Sequence, residues 1–105
     1  MKDIQAAAKA IADYRAREGV DDDILFDAIR ARLIEIGEAV KDIDPAVLAA
    51  EPDIPWNDIS RMRDQLAHRY FDTAHSIVRA TAANDIPPLA EAVARLLNRL
   101  PSDPN

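Results

Sequence analysis

Residues 24–43 read ILFDAIRARLIEIGEAVKDI, and this stretch decides the fold class. Its apolar side chains recur at steps of three and four residues, the period of one face of an α-helix. The later steps form a heptad-like seam, which suits packing along another helix. We expect a long helix whose stripe faces either a partner chain or, as we favour, the core. The stripe consists of Leu25, Ile29, Leu33 with Arg32 beside it, Ile36, Val40 and Ile43.

The segments on either side are also helical in pattern, with capping and turn residues between them. Upstream, apolar residues between Asp3 and Glu18 share one helical face, and Gly19 is placed to end that helix. The acidic run 21–23 then caps the next helix. Downstream, prolines on both sides define a short helical turn at 45–50. After it we expect a third main helix at 56–70, a fourth that Asp72 or Thr73 caps and that runs through about 83, and a fifth through 99. The third carries a core stripe of Trp56, Ile59, Met62 and Leu66, and Tyr14 on the first helix is expected to pack rather than to take part in chemistry.

Length and composition fit one all-α domain. We expect an antiparallel four- to five-helix bundle over residues 1–100, followed by a flexible tail at 101–105. The chain has no cysteine, which excludes disulfides, thiolate metal sites and cysteine nucleophiles. The N-terminal stretch lacks the apolar core of a signal peptide or a membrane span. A cytoplasmic location is therefore expected, in a reducing compartment.

The formal net charge of −6 argues against a general nucleic-acid-binding protein, because such proteins usually carry a basic face. The charge is unevenly distributed, however. Residues 56–80 are net positive, whereas the segments before and after them are net negative. If the protein binds RNA, we expect the contact to be made by this segment, at a local site.

Residues 63–70 read RDQLAHRY and contain the side chains best suited to chemistry. Cleavage of RNA by its own 2′-hydroxyl needs one group that moves a proton and one cation that stabilises charge on the phosphate. His68 suits the first task near neutral pH, and Arg63 suits the second. No metal or cofactor is required. On this pattern alone, the simpler interpretation is that Arg63 is a surface arginine and His68 a partly buried histidine, neither of them catalytic. We interpret His75 in the same non-catalytic way.

The spacing of this pair poses a geometric difficulty. Arg63 and His68 are five residues apart, which places them about 140° apart around a regular helix. A local distortion of the helix would bring them together, and so would a two-fold axis at which two copies of the helix meet. We favour the second. Tyr70, seven residues beyond Arg63, lies within about 20° of it.

Three segments in order resemble the HepT-like proteins of the HEPN superfamily. The stretch 53–72, DIPWNDISRMRDQLAHRYFD, resembles the signature block of that family. Upstream, residues 34–39 resemble its second-helix segment, and downstream, residues 84–89 resemble the start of its last helix. Each segment alone is modestly specific for the family, whereas the three segments in this order are strong evidence of the resemblance.

The resemblance implies an all-helical homodimer that acts as a metal-independent endoribonuclease, usually the toxin of a toxin–antitoxin pair. By the family pattern, Arg63 and His68 would be catalytic. Tyr70 would be adenylylated by a partner nucleotidyltransferase antitoxin, which would add bulk and negative charge beside the cationic site.

Two positions depart from the family pattern. Asp64 stands where the family commonly has asparagine, and it would orient His68, serve as an added base, or repel RNA. Arg69 stands where glycine is common, and it adds a cation. The alternative function is a catalytically silent dimer that binds a nucleotidyltransferase or a nucleotide, which Asp64 and the acidic composition favour. The intact set of Arg63, His68 and Tyr70 favours the enzyme.

Overall fold

The computed structural model describes residues 1–17, 19, 21–68 and 75–99, which fold into six α-helices and no strand. The all-α prediction is confirmed, and the four-residue α3 is the short turn expected between the main helices. No helix in the described part of the chain has the length and apolar character needed to cross a lipid bilayer. The helices are α1 (Lys2–Ala16), α2 (Asp22–Lys41), α3 (Pro45–Leu48), α4 (Trp56–His68), α5 (His75–Asn84) and α6 (Ile86–Arg99).

The cap expected from the sequence is present at the start of α2, and α3 has a cap of the same kind. The Asp21 carboxylate accepts a hydrogen bond from the backbone N–H of Asp23 at 2.9 Å, and Asp44 does the same for Ala46. Gly19, in the link between α1 and α2, adopts the left-handed backbone with φ +75°. The residues predicted to cap the fourth main helix, 72 and 73, and the tail at 101–105 lie outside the described residues.

The central element is α2, which packs against α1 on one side and α4 on another and also contacts α5. The four middle residues of its predicted stripe are buried, which confirms the core assignment, while the two end residues are half-buried. The helix ends at Lys41, two residues before the predicted end. Full burial of each large aliphatic side chain contributes about 1.5–3 kcal/mol. The buried residues of the stripe are Ile29, Leu33, Ile36 and Val40.

The predicted core faces of α1 and α4 meet this central helix. In α4, Ile59 and Leu66 are buried, whereas Trp56 and Met62 are half-buried and pack against the core. Tyr14 on α1 also packs against the core, as expected from the sequence. The core faces of three helices were therefore predicted correctly from their periodicity.

An ion pair fixes the linker between α3 and α4 to α6. The Glu51 carboxylate is almost fully buried and accepts hydrogen bonds from Nε and Nη2 of Arg95 at 3.1 and 2.7 Å. Arg99 lies 3.9 Å away. The indole Nε1 of Trp56 donates to the carbonyls of Leu48 and Glu51, at 3.2 and 3.0 Å. The hydrogen bond from Arg95 lowers the pKa of Glu51 below its ordinary value, against the opposing effect of burial.

This pKa shift predicts a pH-dependent effect of Glu51→Gln. Because the folded-state pKa lies below the ordinary value of 4.5, the carboxylate stabilises the fold above that pH. Its contribution is lost as the pH falls through the folded-state pKa. We expect Glu51→Gln to lower the thermal unfolding midpoint at pH 7 and to differ less from wild type at lower pH. A difference in midpoint that stays constant down to pH 3 would contradict a role for the charge.

Candidate active site

The helices α2 and α4 approach each other closely at Gly37. A Cβ atom on residue 37 would overlap the Cβ of Arg63 and would lie 3.2 Å from the carbonyl oxygen of Ile59. Only glycine fits this crossing without movement of one helix. The stem of Arg63 therefore lies directly against α2.

The guanidinium of Arg63 is held by two carboxylates, one from each helix. Its Nη2 donates to Oε1 of Glu38 at 3.0 Å, and its Nη1 donates to Oδ1 of Asp64 at 3.1 Å. The side chain is 25% exposed, and its Nε is buried with no hydrogen-bond partner among the described residues. The end of the guanidinium is thus oriented near the surface by groups on both helices.

A lysine from α2 binds the same acid. Nζ of Lys41 donates to Oδ1 of Asp64 at 2.7 Å, the oxygen that also accepts from Arg63. These hydrogen bonds, that from Lys41 first, lower the pKa of Asp64 from its ordinary value against the effect of burial. An ionised carboxylate that already accepts hydrogen bonds from two cationic side chains is better suited to positioning Arg63 than to accepting a proton near neutral pH. The two cations also offset the charge that would repel RNA.

An arginine of α2, Arg30, binds the C-terminal part of α4. Nε and Nη2 of Arg30 donate to the carbonyl of Leu66 at 3.1 and 2.7 Å. Carbonyls in the last turn of a helix lack a full set of intrahelical partners, and cations there interact favourably with the helix dipole. Arg30 therefore fixes the end of α4 at which His68 lies.

The predicted catalytic pair lies on one helix but not on one face of it. The backbone is α-helical throughout Trp56–His68, so Arg63 and His68 lie about 140° apart around its axis. A local distortion within this segment does not bring them together, and convergence across a two-fold axis stays a prediction. The side chain of His68 and the whole of Arg69 and Tyr70 lie outside the described residues.

Comparison with known proteins gives a match over most of the chain. A family model described as Ribonuclease HepT-like matches residues 1–96. The chain belongs to the HepT-like ribonuclease family. The resemblance inferred from the signature block, the second-helix segment and the last helix is therefore confirmed.

Curated relatives carry ribonuclease names. The chain is 36% identical over 94 residues to "Probable ribonuclease HepT" of Thermococcus cleftensis, a match that spans 85% of this chain and 84% of the relative. It is 35% identical over 80 residues to a protein of Caldanaerobacter subterraneus that is named provisionally as an RNase, which spans 76% of this chain and 71% of that one. No solved structure gives a significant match. These relatives support a ribonuclease.

Sequence reasoning about this candidate site missed the three charged residues that α2 contributes. Glu38 and Lys41, three positions apart and therefore neighbours on one helical face, contact Arg63 and Asp64. Arg30 contacts the backbone of α4. A detectable signal was Gly37, because a glycine inside a long helix of good helix formers marks a close approach.

The crossing predicts the effect of a single methyl group. Alanine favours a helix over glycine, yet Gly37→Ala would force α4 and Arg63 away from α2. We expect a net loss of about 1–3 kcal/mol in the free energy of unfolding, as in other overpacked contacts, together with loss of RNA cleavage. Thermal unfolding and a cleavage assay measure the two effects.

The matched control is Gly19→Ala. A Cβ atom at residue 19 meets nothing within 4 Å, although φ +75° makes the substitution strained. We expect this variant to lose stability of about 1 kcal/mol and to keep cleavage at temperatures where it is folded. Equal cleavage by the two folded variants would show that Gly37 does not position Arg63.

Proposed function

We propose that this protein is a metal-independent endoribonuclease, the toxin of a toxin–antitoxin pair, with an Arg/His site composed at a homodimer interface. The observation that carries the proposal is the arrangement around Arg63. Carboxylates on two helices hold its guanidinium near the surface, on the same helix that ends at His68. Membership of the HepT-like ribonuclease family supplies the reaction class.

The proposed reaction needs only the RNA and these two side chains. The 2′-hydroxyl oxygen attacks the adjacent phosphorus, the bond to the 5′-oxygen breaks, and the products are a 2′,3′-cyclic phosphate and a 5′-hydroxyl. His68 moves the proton between these oxygens, since imidazole titrates near neutral pH. Arg63 stabilises the charge that gathers on the phosphate oxygens. Its contacts with Glu38 and Asp64 hold it in place before RNA binds, which limits the cost of ordering it.

A homodimer resolves the angular separation of the pair. With Arg63 and His68 on different sides of one regular helix, a two-fold axis beside α4 would place the arginine of one copy near the histidine of the other. The four middle residues of the α2 stripe are buried in the core of the described chain. We therefore place the dimer contact around α4 rather than on that stripe.

The contacts of Asp64 favour the enzyme over a silent binding module. Glu38, Asp64, Arg63 and Lys41 form a cluster of two acids and two bases, joined by ion pairs of 2.7–3.1 Å. The acid that departs from the family pattern is therefore compensated locally. The test is an RNA cleavage assay with a chelator present, in which wild type cleaves and a silent module does not.

Mixed variants test the composite site. We expect Arg63→Ala and His68→Ala each to abolish cleavage while His75→Ala retains it. Equimolar mixing of the two inactive proteins should restore about a quarter of wild-type activity, because half of the dimers are mixed and each mixed dimer has one intact site.

Several results would contradict this arrangement. A site contained in one chain gives no recovery on mixing, and a stable monomer at micromolar concentration by light scattering excludes the dimer. Circular dichroism confirms that the variants remain helical. Full cleavage by His68→Ala would refute the proposed chemistry.

We further propose that a cognate nucleotidyltransferase antitoxin silences the toxin in the cytoplasm by adenylylating Tyr70. The proposal rests on the family motif and on the position of Tyr70 seven residues beyond Arg63. The added phosphate would be bound by Arg63, Arg69 or their counterparts in the dimer, so the modified protein would occupy its own anion site.

Intact mass spectrometry tests the modification. Wild type co-expressed with its partner should gain one or more adenylyl groups of about 329 Da, whereas Tyr70→Phe should gain none. The phenylalanine keeps the ring, so the variant should still cleave RNA and should be more toxic than wild type beside the partner. The same mass gain in both proteins would refute Tyr70 as the acceptor, and no gain with an active partner would indicate control by binding alone.

A further inference from the structure

A groove of about 620 Å³ lies beside the candidate active site, where the end of α2, the α3 turn with its linker and the first half of α4 meet. Its lining combines apolar, aromatic, amide, hydroxyl and cationic groups with one acid, Asp58. Polar and apolar groups contribute about equally, which suits a ligand that carries both an apolar ring and charged groups. The residues that matter for its chemistry are Lys41, Trp56, Asn57, Ser60 and Arg61.

The aromatic group in the groove is held in place. The indole Nε1 of Trp56 donates to two backbone carbonyls, and the side chain remains half-buried beside the groove. A fixed, partly exposed indole is a stacking platform for a nucleobase, a contact that tolerates any base because each has a π-face. Trp56 is also the one tryptophan of the sequence, so tryptophan fluorescence reports on the surroundings of this side chain.

Cations and hydrogen-bonding groups surround this platform. Arg61 is 70% exposed, and the nearest acid, Asp58, lies 3.8 Å away in a pair that is equally exposed. Such surface pairs contribute little, so Arg61 is available to a phosphate. Asn57 and Ser60 add an amide and a hydroxyl, groups that hydrogen-bond the edges of unstacked bases.

The groove shares one residue, Lys41, with the candidate active site. Lys41 lines it and also donates to Asp64, which holds Arg63. Along α4, Arg61 and His68 are seven residues apart, within about 20° of the same face and about 10 Å along the axis. A strand bound at one therefore passes the other.

We propose that this groove binds a nucleotide of single-stranded RNA that flanks the cleaved bond, with its base on Trp56 and its phosphate at Arg61. The choice of RNA as the ligand rests on the proposed function. A second copy of the chain fits the groove less well, since the lining carries two cations against one acid, Asp58, and a two-fold contact would bring the same positive excess from the mate. Phosphate complements that excess.

Trp56 fluorescence measures occupancy without cleavage. The probe is a short single-stranded RNA whose 2′-hydroxyls are methylated, so that it cannot be cut by the proposed reaction. We expect it to quench the fluorescence, and we expect Arg61→Gln to weaken its binding about tenfold and to reduce the slope of log K against log salt by about 0.7. The matched control is Lys9→Gln, which removes an equally exposed cation with an intrahelical acid partner from α1.

Cleavage kinetics separate a flanking site from the reaction centre. A dinucleotide offers nothing to the groove, so Arg61→Gln and Asn57→Ala should match wild type on it. On a longer RNA the same variants should lose about tenfold in kcat/KM through a higher KM. Equal losses on both substrates would overturn the flanking role.

The outcomes distinguish the two proposals. If wild type cleaves RNA but the probe leaves Trp56 unchanged, or Arg61→Gln binds like wild type, the groove proposal fails and the ribonuclease proposal stands. If wild type cleaves no RNA yet the probe quenches Trp56 in an Arg61-dependent way, the ribonuclease proposal and the flanking role fail, and only RNA binding by the groove stands. If Arg61→Gln changes the molar mass by light scattering and leaves probe binding unaltered, the groove is an interface between copies and the proposal is overturned.

Discussion

The close crossing of α2 and α4 at Gly37 is the constraint on which the rest of the site depends. With no side chain at this position, the stem of Arg63 lies against α2, and its guanidinium reaches Glu38. The same crossing brings Lys41 to Asp64. Any side chain at residue 37 would move α4 outward and lengthen both ion pairs together. Glycine costs about 1 kcal/mol in a helix relative to alanine, so its presence in the central helix reflects this contact.

The net charge of the chain describes the site poorly because the fold pairs its acids with specific cations. Glu38 and Asp64 bind Arg63 and Lys41, and buried Glu51 binds Arg95 on another helix. A carboxylate bound in this way orients its partner cation more than it repels a distant anion, since two opposite charges at contact distance largely cancel beyond a Debye length. An acidic protein can therefore present a local surface suited to phosphate.

Local features of the sequence predicted the helices, whereas the contacts of the site depend on tertiary packing. Periodicity identified the core faces, and side-chain chemistry identified the caps, because both act within a few residues. The contact of Arg30 with the Leu66 carbonyl spans 36 residues, and the position of Glu38 against Arg63 follows from how two helices cross. The early end of α2 was missed because apolar Ile43 extends the stripe beyond the last helical residue. The period of the apolar residues does not determine where or at what angle two helices cross.

The departure of Asp64 from the family pattern is best understood together with Lys41. An amide at this position would both donate and accept hydrogen bonds, so it needs no charged neighbour. A carboxylate only accepts hydrogen bonds, and near a phosphate its negative charge is unfavourable unless cations neutralise it. Lys41, one helical turn beyond Glu38 on the same face of α2, supplies one, and Arg63 supplies the other. Asp64 and Lys41 thus act as one unit, and the acid by itself does not argue against catalysis.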